Sequence, residues 1–253
     1  MPSAAGRPPL IPAGASSITA PGWRVEVVER TGSTNTDVVQ RYRRGEDPGY
    51  VLAAEEQTGG RGRLGRTWAS PPRAGLTFSV LLPAAPAPWV PLFGGLAVAT
   101  ALREVCDVAA VLKWPNDVLI EGRKICGVLA EAAVPVRADG SGRGKRGAVV
   151  LGVGLNVTTT AAELPPDRPA TSLALAGAAE LDRLTILRAI LAELRHDHSS
   201  AAYRERCSTL GTEVNLALPD GRTVTGVAAD VDADGRLVID GVAYAAGDVV
   251  HLR

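Results

Sequence analysis

The sequence is short of lysine and of side-chain amides. Only three of the 27 basic residues are lysines, Lys113, Lys124 and Lys145, and the other 24 are arginines. Glutamine occurs twice and asparagine four times. Because this chain uses arginine almost wherever it needs a cation, we interpret each retained lysine, and each of the scarce amides, as a candidate functional residue.

The chain also has few cysteines, no long apolar run and no net charge. Cys106, Cys126 and Cys207 have neither disulfide nor metal-site spacing, and no leader with a cleavage site is visible, which predicts a reducing, cytoplasmic setting. No apolar run approaches the roughly 18 to 20 residues of a membrane span, so a soluble globular protein is predicted. Basic and acidic residues number 27 each, and a net charge of zero excludes a nucleic-acid coat and an acidic tail as the main role of the chain.

Composition divides the 253 residues into three segments. Residues 1–21 are rich in proline, alanine, glycine and serine and predict a flexible tail, because they offer too little apolar surface to offset the entropy of ordering. Residues 22–206 predict a larger domain that contains both strands and helices. Residues 207–253 show short alternating strands with turn signals and predict a small β-barrel.

Periodicity predicts the elements of the larger domain. Strands are predicted at residues 22–30, 51–54, 76–82 and 148–157, and a hairpin at 111–131. Helices are predicted at 37–44, 92–105 and 181–203, the first capped by Ser33 or Thr34. Residues 57–66 contain four glycines and predict a loop, and residues 134–147 predict a mobile connection. Strand 76–82 is a candidate sheet edge that either pairs with a second chain or is covered.

The glycine-rich loop contains the motif GRGRLGR at residues 60–66. Arginine offers planar paired donors that match carboxylate or phosphate oxygens, and glycine removes the Cβ that would hold a ligand away. The motif therefore predicts an anion-binding loop. On its own it leaves open a solvated arginine-rich turn or an arginine–glycine segment that contacts RNA.

Two of the three lysines lie in the predicted hairpin. Lys113 begins the motif KWPND, and Lys124 lies in GRKICG at residues 122–127. A hairpin brings the two ammonium groups toward one site, where a compact charge can stabilise charge developing on an oxygen. A lone lysine is more often a surface cation, but the scarcity of lysine in this chain favours the functional interpretation.

Taken together, these motifs resemble the biotin protein ligases. They are TGSTN at residues 31–35, Gln57 with GRGRLGR at 60–66, KWPND at 113–117, GRK at 122–124 and GVGLN at 152–156. The resemblance spans about residues 23–253 and is strongest with the short, actinobacterial-type members, which lack the amino-terminal DNA-binding domain of bifunctional ligase-repressors. It implies an α+β fold: a class II synthetase-like catalytic domain, in which helices pack on a mixed β-sheet, followed by an SH3-like β-barrel.

The resemblance also implies a two-step reaction. Biotin and ATP form biotinyl-5′-adenylate and pyrophosphate, and biotin then passes to one lysine of the biotin carboxyl carrier domain of an acyl-CoA carboxylase. A carboxylate and a triphosphate must meet, so the site needs fixed positive charge and Mg²⁺ brought with ATP. Neither a nucleic acid nor a membrane is an implied partner.

Three overlapping sets of site residues follow from the resemblance. The catalytic set is Lys124, Arg63, Lys113 and Asp117, in which Lys124 contacts the biotin carboxylate and then the adenylate linkage. The biotin-binding set is Ser33, Thr34, Asn35, Gln57, Arg61, Gly62, Arg63, Lys124, Gly127, Gly152 and Gly154. The ATP and adenylate set is Arg61, Arg63, Arg66, Trp68, Lys113, Asn116 and Asn156. No protein metal cluster is implied; Asp117 is a candidate for holding Mg²⁺ or orienting the acceptor amine, and equally for capping a turn.

Other interpretations remain at this level. A lipoate ligase or acyltransferase shares the fold and the acyl-to-lysine outcome, although the Arg-Gly-Arg and Lys-Trp-Pro-Asn-Asp motifs favour biotin. A non-catalytic RNA-binding module is disfavoured by the zero net charge and by an aromatic content of 4%, which offers no stacking platform. Residues 140–146 lack Walker-loop spacing, and His196 and His198 have no neighbouring ligands, so neither segment predicts a further nucleotide or metal site.

Overall fold

A computed structural model describes residues 6–12, 14–84, 88–134 and 147–252. These residues form two β-sheets and four α-helices. Residues 135–146, which make up nearly all of the predicted mobile connection, lie outside the described residues.

The elements follow one another along the chain with these bounds. The strands are β1 (Ser17–Ala20), β2 (Trp23–Thr31), β3 (Tyr50–Arg61), β4 (Thr67–Ser70), β5 (Gly75–Pro83), β6 (Val111–Lys113), β7 (Asp117–Ile120), β8 (Arg123–Ala133), β9 (Ala148–Asn156), β10 (Glu213–Ala217), β11 (Thr223–Val231), β12 (Leu237–Ile239), β13 (Val242–Tyr244) and β14 (Asp248–His251). The helices are α1 (Thr34–Arg43), α2 (Val90–Cys106), α3 (Arg183–Glu193) and α4 (Ser200–Arg206).

The large sheet is mixed, as predicted. Its strand order is β1-β2-β3-β5-β9-β8-β7-β6, and β4 pairs with β3 beside this path. Strands β2 and β3 are parallel and are joined through α1, the crossover that parallel neighbours require. The other neighbouring strands of this sheet are antiparallel.

Helices cover both faces of this sheet. Successive side chains of a strand point to opposite faces, so neighbouring residues enter different cores. On one face, Leu52 and Val150 pack in a cluster with Val38 of α1. On the other face, Val51 and Leu151 belong to the larger core that contains the buried side chains of α2 and α3. The α+β class predicted for this domain is confirmed.

The C-terminal residues form a second, antiparallel sheet. Its order is β13-β12-β11-β10-β14, which is compatible with an SH3-like domain. Among the described residues, the two outer strands do not pair with each other, so this sheet is not a closed barrel. It is tied to the large domain by the buried Trp114, whose indole nitrogen donates to the Gly235 carbonyl at 3.0 Å.

Two predictions about strands are wrong. Residues 57–61 continue β3 and pair with β4, because Gly60 lies opposite Trp68 and Arg61 opposite Thr67; the predicted loop is confined to the few residues between these strands. Strand β5 is not an edge, since it lies between β3 and β9. Residues of β5 are buried along nearly the whole strand, as expected for a central strand covered on both faces. Such a strand has a continuous apolar sequence, which does not distinguish it from an edge.

The single helix predicted over residues 181–203 is two helices. Asp182 caps α3 by accepting a hydrogen bond from the Thr185 amide at 2.7 Å. The helix ends at Glu193, and Ser199 caps α4 by accepting from the Ala202 amide at 3.1 Å. The intervening polar residues interrupt the apolar stripe, and the serine supplies a new helix start.

The flexible tail predicted for residues 1–21 differs from the structure over its described part. Ser17–Ala20 form β1, which pairs antiparallel with β2. Arg7, Leu10 and Ile11 are buried in the large domain. A few buried side chains and an ion pair hold this segment on the domain. The overall composition of the segment does not reveal such individual contacts.

None of the helices formed by the described residues combines the length and the apolar character that a membrane crossing requires.

Candidate active site

One cleft collects almost all of the predicted site residues. It lies over β8 and β9, between the start of α1 and the β3–β4 hairpin, and encloses about 1120 Å³ of space, including its open mouth. The predicted residues that line it are Ser33, Thr34, Asn35, Gln57, Arg61, Gly62, Arg63, Arg66, Trp68, Asn116, Asp117, Lys124, Gly127, Gly152, Gly154 and Asn156. Of the predicted site residues, all of which the structure describes, only Lys113 is outside this lining.

Buried polar groups form one end of the cleft at the start of α1. Ser33 caps the helix, and the next residue is fixed from the neighbouring strand, because Gln57 Oε1 accepts from the Thr34 amide at 2.9 Å and from its hydroxyl at 3.1 Å. The Ser79 hydroxyl oxygen lies 2.7 Å from Thr34 Oγ1 and 2.6 Å from Asn35 Oδ1. These bonds hold several donors and acceptors in fixed orientations against an otherwise apolar wall.

Glu131 connects this polar end to the GRGRLGR motif at residues 60–66, here called the arginine motif. Asn35 Nδ2 donates to Glu131 Oε2 at 2.6 Å, and Arg61 Nη2 lies 3.2 Å from Glu131 Oε1. Arg61 also donates to the Thr36 hydroxyl at 3.1 Å. The carboxylate therefore orients both an amide and a guanidinium at the edge of the cleft.

Two glycines of β9 allow side chains to lie directly on the sheet. A Cβ at Gly152 would stand 2.2 Å from Asn35 Oδ1, and a Cβ at Gly154 would stand 2.5 Å from Trp68 Cε2. Neither distance is compatible with a side chain. The Asn35 amide and the Trp68 indole therefore depend on glycine at these two positions.

Lys124 lies beside a carboxylate and an aromatic ring. Its Nζ is 2.5 Å from Asp117 Oδ1 and 5.7 Å from the centre of the Trp68 ring. Its backbone amide donates to the Pro169 carbonyl at 3.0 Å, and its carbonyl accepts from the Thr171 amide at 2.9 Å. The strand and the segment that follows β9 thus fix the backbone of Lys124 from both sides.

Lys113 lies one strand away, paired in register with Asp117 in the β6–β7 hairpin. Burial, together with the positive charges of Lys124 and Arg66, lowers the pKa of Lys113, and the charges of Asp117 and Asp248 oppose this shift. Lys113 is thus a half-buried lysine outside the cleft lining, next to a carboxylate that lines it.

The C-terminal sheet contacts the arginine motif. Arg63 Nη1 donates to the Gly247 carbonyl at 3.4 Å, and Arg66 forms an ion pair with Asp248. Burial lowers the pKa of Arg63, and the charges of Asp248 and Asp117 partly oppose that shift. Burial alone would raise the pKa of Asp248, but the hydrogen bond from Arg66 and the nearby cations outweigh it and the pKa is lowered.

The two asparagines of the predicted ATP and adenylate set, Asn116 and Asn156, bond to backbone carbonyls beside the cleft. Asn116 Nδ2 donates to the Val128 carbonyl at 2.7 Å, and Asn156 Nδ2 donates to the Thr171 carbonyl at 3.0 Å. Asn116 follows the cis peptide bond between Trp114 and Pro115. Both amides thus bond to backbone within the lining of the cleft.

Sequence analysis missed several residues of this site and its supports, among them the polar or charged Glu131, Asp248, Arg168 and Ser79. Arg168 and Asp248 line the cleft. Acidic residues and arginines are numerous in this chain, so composition does not single these residues out.

The described residues contain no group of three or more histidine, cysteine, aspartate or glutamate side chains arranged to hold a metal ion. The cleft offers separate carboxylates paired with cations, as in the Asp117–Lys124 and Asp248–Arg66 pairs. Its chemistry is that of a site for a partly apolar molecule with a polar end, next to a cationic region for anions.

Comparison with known proteins identifies the family. The model of the Biotin/lipoate A/B protein ligase family matches residues 27–136, and that of the Biotin protein ligase C terminal domain matches residues 209–252. The chain is 43% identical to the biotin–[acetyl-CoA-carboxylase] ligase of Mycobacterium tuberculosis, over 92% of this chain and 91% of that protein. The chain belongs to the biotin protein ligase family.

Two further biotin protein ligases show how far the likeness extends. The enzyme from Aquifex aeolicus in complex with biotin and ATP is similar with a TM-score of 0.67 at 28% identity, covering 90% of this chain and 98% of that chain. The bifunctional ligase/repressor BirA of Escherichia coli is 29% identical to this chain. The aligned region covers 87% of this chain and 70% of that protein. The likeness thus includes both the catalytic domain and the C-terminal sheet.

Proposed function

We propose that this protein activates biotin with ATP to biotinyl-5′-adenylate and transfers biotin to a specific lysine of a biotin carboxyl carrier domain. One observation carries the proposal: the buried polar cluster around Thr34 and Gln57 opens into the same cleft as Arg61, Arg63 and Lys124. A vitamin with a polar ring, an apolar tail and a carboxylate needs these features in this order.

The polar end of the cleft is proposed to bind the ureido ring. Ser33, Thr34, Asn35 and Gln57 present fixed hydroxyl and amide groups there. Gly152 leaves room for the Asn35 amide, so the ring would contact groups whose orientation is already set. Preorganised polar groups lose little entropy when a ligand binds. Gly127, Gly62 and the apolar Val128 would border the tail.

The cations are proposed to join two anionic reactants. A carboxylate and a triphosphate repel each other unless fixed positive charge is close, and such charge is most effective where water is scarce. Lys124 would contact the biotin carboxylate and then the acyl-phosphate linkage, stabilising developing charge without acting as a nucleophile. Arg61, Arg63 and Arg66 would face the phosphates, with Lys113 adding potential from behind the wall.

The nucleoside is proposed to lie against Trp68, with Asn116 and Asn156 at the rim. The Trp68 ring packs on β9 at Gly154, and the Lys124 ammonium lies 5.7 Å from the centre of the ring. An aromatic face next to cations suits a purine attached to phosphates.

Mg²⁺ enters the proposal with ATP. Magnesium in phosphate-transfer sites is held by one or two carboxylates together with substrate phosphates, and Asp117 and Asp248 are the carboxylates that line this cleft. Because both pair with cations, they fit an ion that arrives with the triphosphate better than a preformed cage. When bound, Mg²⁺ would neutralise phosphate charge.

The partner in the second step is proposed to be the carrier domain of an acyl-CoA carboxylase, and the setting cytoplasmic. The name of the Mycobacterium tuberculosis relative specifies acetyl-CoA carboxylase. Asp117, which pairs with Lys124, would orient the incoming lysine amine. Cys106, Cys126 and Cys207 are buried free thiols, as suits a reducing compartment.

The experiment is exchange of labelled pyrophosphate into ATP with biotin, with lipoate and with neither. We expect exchange with biotin alone, because adenylation is reversible and requires the acyl substrate. Exchange with lipoate and not with biotin would replace the proposal by a lipoate ligase. Labelling of a purified carrier domain at its lysine, lost when that lysine is replaced, tests the second step.

A further inference from the structure

The N-terminal residues 6–12, here called the N-terminal strap, are seated in the catalytic domain by specific polar contacts. The Leu10 amide donates to the buried Glu55 carboxylate, and Arg183 Nη2 donates to the Pro8 carbonyl at 2.7 Å. Arg183 and Glu55 form a buried ion pair at 2.8 Å. The strap is therefore attached to a charged site inside the domain and is not simply laid on its surface.

Arg7 extends from the strap to a different part of the chain. Its side chain is only 2% exposed, and its two terminal nitrogens donate to Glu163, at 3.0 Å to Oε1 and 2.6 Å to Oε2. The same guanidinium donates to the Thr158 carbonyl at 3.1 Å. Glu163 Oε2 also accepts from the amide and the hydroxyl of Thr160, each at 2.9 Å. Arg7 thus fixes the segment that follows β9 at several points.

That segment, residues 158–170, is here called the wall segment because it forms one side of the cleft. Pro165, Arg168 and Ala170 line the cleft. At its far end, Ala170 forms a parallel bridge with Lys124. One end of the wall segment is therefore held by the proposed catalytic lysine, and the other end by Arg7.

We propose that the N-terminal strap positions the wall segment through the Arg7–Glu163 pair and thereby sets the affinity of the cleft for the nucleotide. The inference rests on the proposed function, which places ATP on the Trp68 and Asn156 side. The wall segment is on that side, because the Thr171 carbonyl next to it accepts from Asn156. Arg7 and Glu163 do not line the cleft, so they are positioning residues.

The physical reason is preorganisation. A loop that is free to move must be ordered when a ligand binds, and that entropy is subtracted from the affinity. A paired, bidentate Arg–Glu contact is directional as well as strong, so it selects one loop position. The hydrogen bond from Arg7, together with those from Thr160, lowers the pKa of Glu163 to about 2, and the pair remains charged at neutral pH.

The direct test is Arg7→Met, which keeps the apolar stem and removes the guanidinium. In pyrophosphate exchange, we expect the KM for ATP to rise about 5- to 20-fold, kcat to change less than about twofold, and the biotin Kd from calorimetry to stay within about twofold. Glu163→Gln is expected to change the same constant in the same direction by a smaller factor. The double variant is expected to exceed Arg7→Met only slightly, because the two residues act as one contact.

A cavity variant separates positioning from general loss of stability. Leu102 on α2 is fully buried in the core and belongs to neither the strap nor the wall segment. Leu102→Ala, compared at a temperature where both variants are folded, is expected to leave the KM for ATP near the wild-type value. An equal rise in both variants, or no rise in Arg7→Met, would overturn the proposal. If Arg7→Met does not fold, Arg7→Lys takes its place, with a smaller rise expected and an unchanged KM again contradicting the inference.

A binding measurement keeps the inference distinct from the proposed function. Coupling between two sites is reciprocal, so a non-hydrolysable ATP analogue added to the biotin-saturated protein should slow hydrogen exchange at the Leu10 amide at least about threefold in the wild type. The effect should disappear in Arg7→Met. Unchanged exchange in a wild type that binds the analogue would contradict the strap alone, whereas absence of biotin-dependent pyrophosphate exchange would contradict the proposed function alone.

Discussion

Lys124 shows at the scale of one residue how position and chemistry combine. Its ammonium is close to Asp117 and faces the Trp68 ring, and its side chain is 27% exposed. The group therefore lies at the edge of water and is available to a second anion. The ammonium is a compact charge where a guanidinium would add a planar fork, and it lies close to Gly127, where an added Cβ would stand 3.2 Å from Lys124 Nζ.

Lys124→Ala is expected to lower the rate of adenylation by about 10² to 10³, the loss typical of one donor that stabilises transition-state charge. The fold should be retained, because the side chain is not part of the core. Pyrophosphate exchange measures the rate. Arg123→Ala is the matched control, since Arg123 is an exposed neighbour paired with Glu121 and its loss should change the rate less than about twofold. Undiminished exchange in Lys124→Ala would remove the residue from the mechanism.

Gly152→Ala is expected to weaken biotin binding at least about tenfold while the protein stays folded. The added methyl would stand 2.2 Å from Asn35 Oδ1 and must displace that amide from Ser79 and Glu131. Calorimetry with biotin measures the effect. Gly95→Ala, where the nearest atom would be at 3.5 Å, adds the same methyl without a clash and should bind biotin normally. Equal affinity in both variants would contradict the role given to Asn35.

Scarcity explains which site residues the sequence predicts and which it does not. Lys124, Asn35 and Gln57 are rare residue types in recognisable motifs, and all three line the cleft. Glu131 is one of 27 acidic residues, and its role depends on which face of β8 it occupies relative to α1. That relation is set by strand register and helix packing, which a single sequence does not specify.

The β3–β4 hairpin is the element in which local and tertiary signals disagree most. Glycines at residues 59–62 predict a loop, yet Gly60 is paired with Trp68. A Cβ at Gly60 would stand 2.5 Å from the Trp68 carbonyl oxygen and 2.5 Å from Gln57 Nε2. The glycine is needed for close packing within a strand, so its presence reports crowding as well as flexibility. Only at Arg63–Gly65 does the chain turn, with Leu64 at a φ of 55°.

Trypsin cleavage within residues 61–66 is expected to slow when biotin and ATP are both present. Arg61, Arg63 and Arg66 are the cleavage sites, and phosphates bound to their guanidinium groups would order the hairpin and cover the adenylate from water. Peptide mapping over time measures the rates. Cleavage after the exposed Arg222 of the C-terminal sheet serves as the internal control. Equal rates at residues 61–66 with and without ligands would count against closure of this element.

Contacts between distant segments give the whole molecule its active arrangement. The strap reaches the wall segment through Arg7, and the C-terminal sheet reaches the arginine motif through Asp248. Trp114, in the β6–β7 hairpin, bonds to Gly235 of the C-terminal domain. The sequence predicts the class of each layer from periodicity, but these joints pair residues more than a hundred positions apart and have no local signature.

The Arg7–Glu163 joint is expected to make stability depend on pH in acid. The pKa of Glu163 is about 2 in the folded protein against an ordinary 4.5, so the folded state favours the charged form. Its contribution is present above about pH 4.5 and is lost as the pH falls toward 2. The difference in Tm between the wild type and Glu163→Gln should therefore be full near neutrality and shrink below about pH 4.5. A difference that stays constant or grows in acid would contradict this assignment.

The most direct test of the central claim is a crystal structure of the protein with biotin and a non-hydrolysable ATP analogue. The account predicts the biotin carboxylate and the α-phosphate side by side, with Lys124 Nζ and guanidinium groups of Arg61 or Arg63 within hydrogen-bond distance of them, about 2.7 to 3.2 Å. Ligands bound elsewhere, or bound in the cleft with those cations directed into solvent, would contradict it.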